Sequence, residues 1–301
     1  MSDRTKSYLF ASLAVLFWST IATAFKIALA ELSPGQLLFI ASSTAVIVLV
    51  IISIIEGKLR TVFKPKPGNI LMSALLGLLN PFIYYLVLLE AYNRLPAQVA
   101  QPLNMIWPIV LVFLSVPMLK QRIPGRSFIA LFISFAGVYL VSSQGQPFNP
   151  GKSDLLGVIL AMGSSVFWAL YFILNLKDRR GESSKLLMNF LIATIYIAIY
   201  LIITGGFNNF STRGIPAAIY TGIFEMGLTF YLWLKALKLA TTSDKISNLV
   251  FLAPFLSLVF ISIFLGEHIY ITTFWGLVLI VTGILFQRFK SSPQRAQRAQ
   301  R

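Results

Sequence analysis

Apolar residues run in blocks of about twenty, and each block ends at a short joint carrying charge, proline or glycine. A helix crosses the hydrocarbon core of a bilayer with about 20 mostly apolar residues, so each block reads as a membrane span. Ten are predicted, at residues 8–30, 36–55, 70–89, 97–119, 128–143, 155–176, 186–203, 215–234, 246–265 and 271–289. The expected fold is all-α and polytopic, with no stretch left over for a soluble domain. Arg4, Lys6 and the triplet Ala28-Leu29-Ala30 imitate a secretory signal peptide around the first block. That block is longer than a signal h-region and nine more follow it, so it reads as a membrane helix.

Composition agrees: 57% of the 301 residues are hydrophobic and 12% are charged, with a mean hydropathy of +0.79. The formal charge of +15 would suggest a nucleic-acid partner in a soluble protein, but the hydropathy argues against one. The distribution of the charge is more informative. With the N-terminus inside, alternate joints and termini hold 21 Lys and Arg, the other joints hold only Arg94, Lys152 and Arg213, and Lys26 lies within the first span. Basic residues are retained on the cytoplasmic side, so both termini are expected in the cytoplasm and the chain in an inner or plasma membrane. The chain has no cysteine and a single histidine. Disulfides, thiolate nucleophiles and cysteine-ligated metals are excluded, and neither a metal nor a cofactor is expected.

The two halves match. Phe17-Trp18 corresponds to Phe167-Trp168, Asn80 to Glu225, Ala91 to Ala236, Pro108 to Pro254 and Gly137 to Gly283, in the same order and with nearly constant spacing. A repeat of five helices is odd-numbered, so its second copy sits upside down in the membrane. The charges follow that inversion: Lys120, Arg122 and Arg126 come after span four, whereas Glu267 and His268 hold the equivalent place after span nine. The organisation expected is an N-terminal repeat over 1–143, an outer linker at 144–154, an inverted C-terminal repeat over 155–290 and a basic, disordered cytoplasmic tail at 291–301. Inverted repeats are a device of secondary transporters, in which two halves rock about a central site.

Leu16-Phe17-Trp18-Ser19-Thr20, the stretch from Ala91 to Pro108 (AYNRLPAQVAQPLNMIWP) and Phe264-Leu265-Gly266-Glu267 resemble the drug/metabolite transporter superfamily, of the EamA type, over nearly the whole chain. Asn104-x-x-Trp107-Pro108 and Trp18-Ser19-Thr20 also look like its bacterial aromatic amino-acid exporters. The resemblance implies a ten-helix carrier whose helices one, three, four, six, eight and nine line a central cavity. It favours export, and substrates in this superfamily range from amino acids to drugs.

Polar residues away from helix ends tend to face a bundle interior, and their helical spacing marks the same spans. Candidate cavity residues are Trp18 and Ser19 in span one, Asn80 and Tyr84 in span three, and Gln101, Asn104 and Trp107 in span four. Span six adds Trp168, Tyr171 and Asn175, and span eight adds Glu225 and Thr229. For the hydroxyl residues the alternative is a hydrogen bond to the helix backbone or to a neighbouring helix. For the tryptophans it is packing or contact with lipid. Glu225 is the only acid near the middle of a span, where an ionised carboxylate is costly unless paired or solvated. It is a candidate proton-coupling residue or amine partner, or else a structural partner of Lys26, itself a second coupling candidate unless it snorkels to the headgroups. Pro108 and Pro254, at matching places, are hinge candidates because proline frees a backbone carbonyl.

A secondary transporter of small amphipathic metabolites such as amino acids, working by alternating access, is the function expected. Its partners would be a small-molecule substrate, the lipid bilayer and a coupling proton, while the residues leave the oligomeric state open. A channel, facilitator or uptake carrier of the same fold is the alternative. An intramembrane enzyme is disfavoured because no nucleophile–base or metal constellation is present, and no phosphate-binding loop motif exists for ATP-driven transport.

Overall fold

The computed structural model describes residues 2–62, 67–119, 125–148, 153–240 and 249–288, and these contain helices and no strands. Ten helical segments coincide with the ten predicted spans. They are α1 (Asp3–Leu29), α2 (Pro34–Ile55), α3 (Pro67–Arg94), α4 (Ala97–Met118), α5 (Ser127–Ser142), α6 (Leu155–Asn175), α7 (Glu182–Thr204), α8 (Thr212–Leu237), α9 (Leu249–Leu265) and α10 (Ile271–Gln287). Seven are long and apolar enough to cross a membrane by length and composition, and α5, α9 and α10 are shorter apolar helices. At 1.5 Å per residue, 17 residues reach about 26 Å, slightly less than a hydrocarbon core of about 30 Å. The proposed tail at 291–301 lies outside the described residues, as do the cation-bearing positions Lys64, Lys66, Lys120, Arg122, Lys152, Lys245 and Lys290.

Packing reproduces the internal repeat. α1 lies against α8 and α9, and α6 lies against α3 and α4. α2 meets α7 and α8, α7 meets α3, and α5 pairs with α10. Exchanging each helix with the one five places away maps this set of neighbours onto itself. The chemistry at the crossings is that of a membrane bundle, where small residues let backbones approach while lipid solvates the large side chains. A Cβ on Gly77 of α3 would meet the Asn189 carbonyl of α7 at 2.5 Å, and one on the matching Gly222 of α8 would meet the Ala41 carbonyl of α2 at 2.4 Å. Large apolar side chains such as Ile47, Ile51, Phe132, Ile195, Ile202 and Ile263 point outward instead.

Four spans are interrupted. In α3 a π-helical segment, Leu78–Ile83, holds Asn80 in an extended conformation and a cis Asn80-Pro81 peptide bond. In α8 a second π segment, Gly222–Gly227, occupies the equivalent place and carries Glu225. Span four divides into Ala97–Asn104 and a helix beginning at Trp107. Span nine passes from a 3-10 turn, Leu249–Leu252, to Ala253–Leu265. Pro108 and Pro254 therefore stand in the first turn of a new helix, where a missing N–H costs nothing, and do not kink a continuous one. Interrupted backbone at membrane depth is tolerated where protein buries it or where it lines a cavity.

Candidate functional site

Trp168 of α6 is the hub of an aromatic cluster drawn from both halves. Its ring centroid lies 5.0 Å from Tyr84, 5.8 Å from Tyr171, 5.8 Å from Phe230 and 6.2 Å from Trp107. Trp18 of α1 joins from the other side, 5.9 Å from Phe230 and 5.3 Å from Trp233. The three candidate tryptophans lie within their spans and away from the span ends. They meet inside the bundle because the repeat places Trp18 and Trp168 at matching levels of α1 and α6.

Polar groups thread this cluster. The Tyr84 hydroxyl donates to Asn104 Oδ1 (3.3 Å), and Asn104 Nδ2 donates to Ser164 Oγ (2.8 Å), which connects α3, α4 and α6. The Tyr171 hydroxyl lies beside the amides of Asn80 and Asn189. Glu225 is half-buried, and its Oε1 accepts a 2.8 Å hydrogen bond from the hydroxyl of Tyr85, a fully buried residue of α3. That bond crosses between the repeats. The buried atoms Asn80 Oδ1, Gln101 Oε1, Asn175 Oδ1 and Trp168 Nε1 have no hydrogen-bond partner among the described residues. Buried polar groups are normally paired, so a solute or water is the natural partner for these.

Three candidates are placed differently from the rest. Ser19 is fully buried and donates to the Leu16 carbonyl (2.6 Å), and the buried Thr229 donates to the Phe224 carbonyl, so both hydroxyls are engaged by their own helices. Lys26 does not pair with Glu225. Its Nζ donates to the carbonyls of Tyr92 (2.8 Å) and Leu95 (3.2 Å), at the C-terminal end of α3. Unpaired carbonyls give that end of a helix a partial negative charge, which favours a cation.

Spacing alone would have added Trp233, which continues the stripe of Glu225 and Thr229 at steps of four. Tyr85 had no such signal, because it follows Tyr84 directly and so lies about 100° around the helix. Asn189 lies in α7, a span that supplied no candidate cavity residue, and is fully buried beside Tyr171.

One end of the bundle is tied across the repeats by hydrogen bonds. Gly266 ends α9 in a left-handed conformation (φ 65°), and Glu267 then turns back onto α4. Its carboxylate accepts the backbone N–H of Ala97 (2.9 Å) and of Gln98 (3.2 Å), two donors that the start of a helix leaves free. Gln98 completes the closure. Its Nε2 donates to the His268 carbonyl (2.8 Å), and its Oε1 accepts from Tyr270 N (3.1 Å) and from the Thr273 hydroxyl (3.2 Å). At the same end, Gln36 donates to the Gly206 carbonyl and Ser211 to Glu31, so the joints after α1 and α7 are linked as well. Arg94 pairs with Glu90 and with Asp154. Asp154 caps α6, and the Gly157 N–H followed by Arg94 hold its carboxyl below the ordinary carboxylate range.

Comparison with known proteins agrees with this architecture. The EamA-like transporter family matches the chain twice, over residues 5–143 and 155–288. An uncharacterized transporter of Bacillus subtilis (strain 168), YvbV, is 30% identical over 97% of this chain and 95% of its own length. An uncharacterized transporter of Clostridium kluyveri is 25% identical over 92% of this chain and 91% of its own. One solved crystal structure superposes with a TM-score of 0.64 over 99% of this chain and all of its own, and its 19% identity speaks to the fold alone. This polytopic integral membrane protein, with its twice-matched five-helix unit, belongs to the EamA-like transporter family of the drug/metabolite transporter superfamily.

Proposed function

We propose that the chain is a secondary carrier that moves small amphipathic metabolites, amino acids and related solutes, by alternating access about the Trp168 cluster. The carrying observation is that this cluster is assembled by both halves and is bordered by both π segments. A site that two rigid bodies build jointly is exposed to one side or the other as they rock. The closure at Glu267 and Gln98 supports a state sealed at that end. Opening there would require the joint of α9 and α10 to leave the start of α4, with Pro108 and Pro254 at the breaks that absorb the motion.

In this reading the sealed end faces outward, as the positive-inside distribution implies, both termini are cytoplasmic, and the two units run over 1–143 and 155–290. Export is the favoured direction. Glu225 is the coupling residue: a carboxylate at mid-span, bonded among the described residues only by a tyrosine of the other repeat, exchanges a proton or a charged solute as the halves move. Lys26 anchors the end of α3 and takes no proton in the cycle.

The test is counterflow in proteoliposomes with amino acids, amines and nucleosides, with and without a pH gradient, repeated with Glu225→Gln. A carrier shows trans-stimulation, and the variant is expected to lose the response to the gradient. A channel-like flux without trans-stimulation would reject the carrier mechanism. Wild-type rates and pH dependence in Glu225→Gln would remove Glu225 as the coupling residue.

A further inference from the structure

We infer that the site prefers a monocationic arylalkylamine, an aromatic ring bearing an ammonium group and no carboxylate. The inference rests on the reading of the Trp168 cluster as the substrate site and narrows the class of solute it takes.

Three observations converge on a positive ligand. Among the described residues Glu225 forms no ion pair: the ion pairs there join Lys58 to Glu56, Arg94 to Glu90 and Asp154, Arg180 to Asp178, and Lys185 to Glu182. Its one hydrogen bond uses Oε1, which leaves Oε2 as an acceptor. Among the described residues, the unpartnered buried amide and indole atoms around the cluster lean the same way: the acceptors Asn80 Oδ1, Gln101 Oε1, Asn175 Oδ1 and Asn189 Oδ1 outnumber the donors Trp168 Nε1 and Asn189 Nδ2. An ammonium group brings three N–H donors and no acceptor, which complements this surplus. The walls are aromatic, and the faces of Trp168, Trp18, Tyr84 and Phe230 can stack on a ring and attract a cation.

The same features disfavour a second, negative group. Lys26, the inward-facing cation of α1, is committed to the Tyr92 and Leu95 carbonyls. A zwitterionic amino acid would place its ammonium on Glu225 and leave its carboxylate, among the described unpartnered atoms, with neutral donors such as Trp168 Nε1 and Asn189 Nδ2. Burying a charge without a counter-charge is costly. The arrangement therefore discriminates among solutes that share a ring and differ only in charge.

The full chain in nanodiscs is titrated calorimetrically, near neutral pH, with 2-phenylethylamine, L-phenylalanine and phenylacetate. The amine is expected to bind about tenfold or more tightly than L-phenylalanine, and phenylacetate to give no binding. Glu225→Gln is expected to abolish the preference for the amine, and Trp168→Phe to weaken amine and amino acid alike. L-Phenylalanine binding as tightly as the amine would overturn the inference, and so would an unchanged preference in Glu225→Gln. The wild-type ranking depends on no variant folding. Counterflow separates the two readings: exchange of L-phenylalanine with no binding of phenylethylamine rejects the amine class and keeps the carrier. Binding of the amine with no counterflow of any solute does the reverse.

Discussion

The π segments of α3 and α8 stand at equivalent places in the two halves, yet one carries Asn80 and the other Glu225. Each begins at or just after a glycine in contact with the opposite half, Gly77 before the first and Gly222 at the start of the second, and each adjoins the aromatic cluster. The backbone device is shared and the chemistry is not. In the proposed mechanism, duplication supplies a symmetric frame for rocking, while a carrier that handles one charged solute needs its charge on one side only. The ends show the same contrast: Glu267 closes one joint by capping α4, whereas the matching joint after span four bears Lys120, Arg122 and Arg126 in the sequence.

The largest effect that tests the shared frame comes from the two glycines. Gly222→Val and Gly77→Val each push side-chain atoms into a carbonyl of the other half. Overpacking of this kind costs on the order of 1–3 kcal/mol. Thermal unfolding of the purified protein is expected to fall for both variants by similar amounts. A large loss at one position with none at the other would break the symmetry of the frame.

A smaller effect sharpens the asymmetry of the ends. The chain has no cysteine, so Ala100→Cys, one turn below the closure, is a unique reporter. Membrane-impermeant maleimide applied from the side bearing residue 267 is expected to label it severalfold faster once Glu267→Ala is added, with Glu267→Gln in between. Equal rates in all three would show that Glu267 does not hold that end shut.

The smallest effect concerns Asp154, an exposed cap at the same end. Its lowered folded pKa means that its stabilising contribution is complete above the ordinary carboxylate range and is lost as pH falls through the lowered value. Asp154→Asn keeps an amide oxygen for capping, so it should scarcely change stability near neutral pH while flattening the acid limb of the unfolding curve. An unchanged acid limb would count against the Gly157 and Arg94 contacts.

Much of the frame was readable along the chain because bilayer thickness sets helix length and backbone that must pair internally in lipid leaves only helices and closed barrels, of which blocks of about twenty apolar residues fit the helix. That Trp18, Tyr84, Asn104, Trp107, Trp168 and Tyr171 gather in one interior cluster was also readable, since helical spacing places polar and aromatic residues on one face. Ser19 and Thr229 shared that spacing, but a hydroxyl satisfies itself on its own helix through an i−3, i−4 or i−5 carbonyl, and no pattern distinguishes the two outcomes. Tyr85 was hidden because the interrupted backbone of α3 brings a neighbour of Tyr84 onto Glu225, a partner 140 positions away.

Span number, the doubled architecture and the isolation of one mid-membrane carboxylate followed from the sequence by itself. They depend on local hydropathy and on charge counted joint by joint, quantities that are additive along a chain. The partner of Lys26, the capping of α4 by Glu267 and the choice of Tyr85 for Glu225 were decided only by tertiary structure. Each depends on which helix ends and faces meet across the two halves, and that is set by close packing of small residues, whose contact partners no one-dimensional pattern encodes.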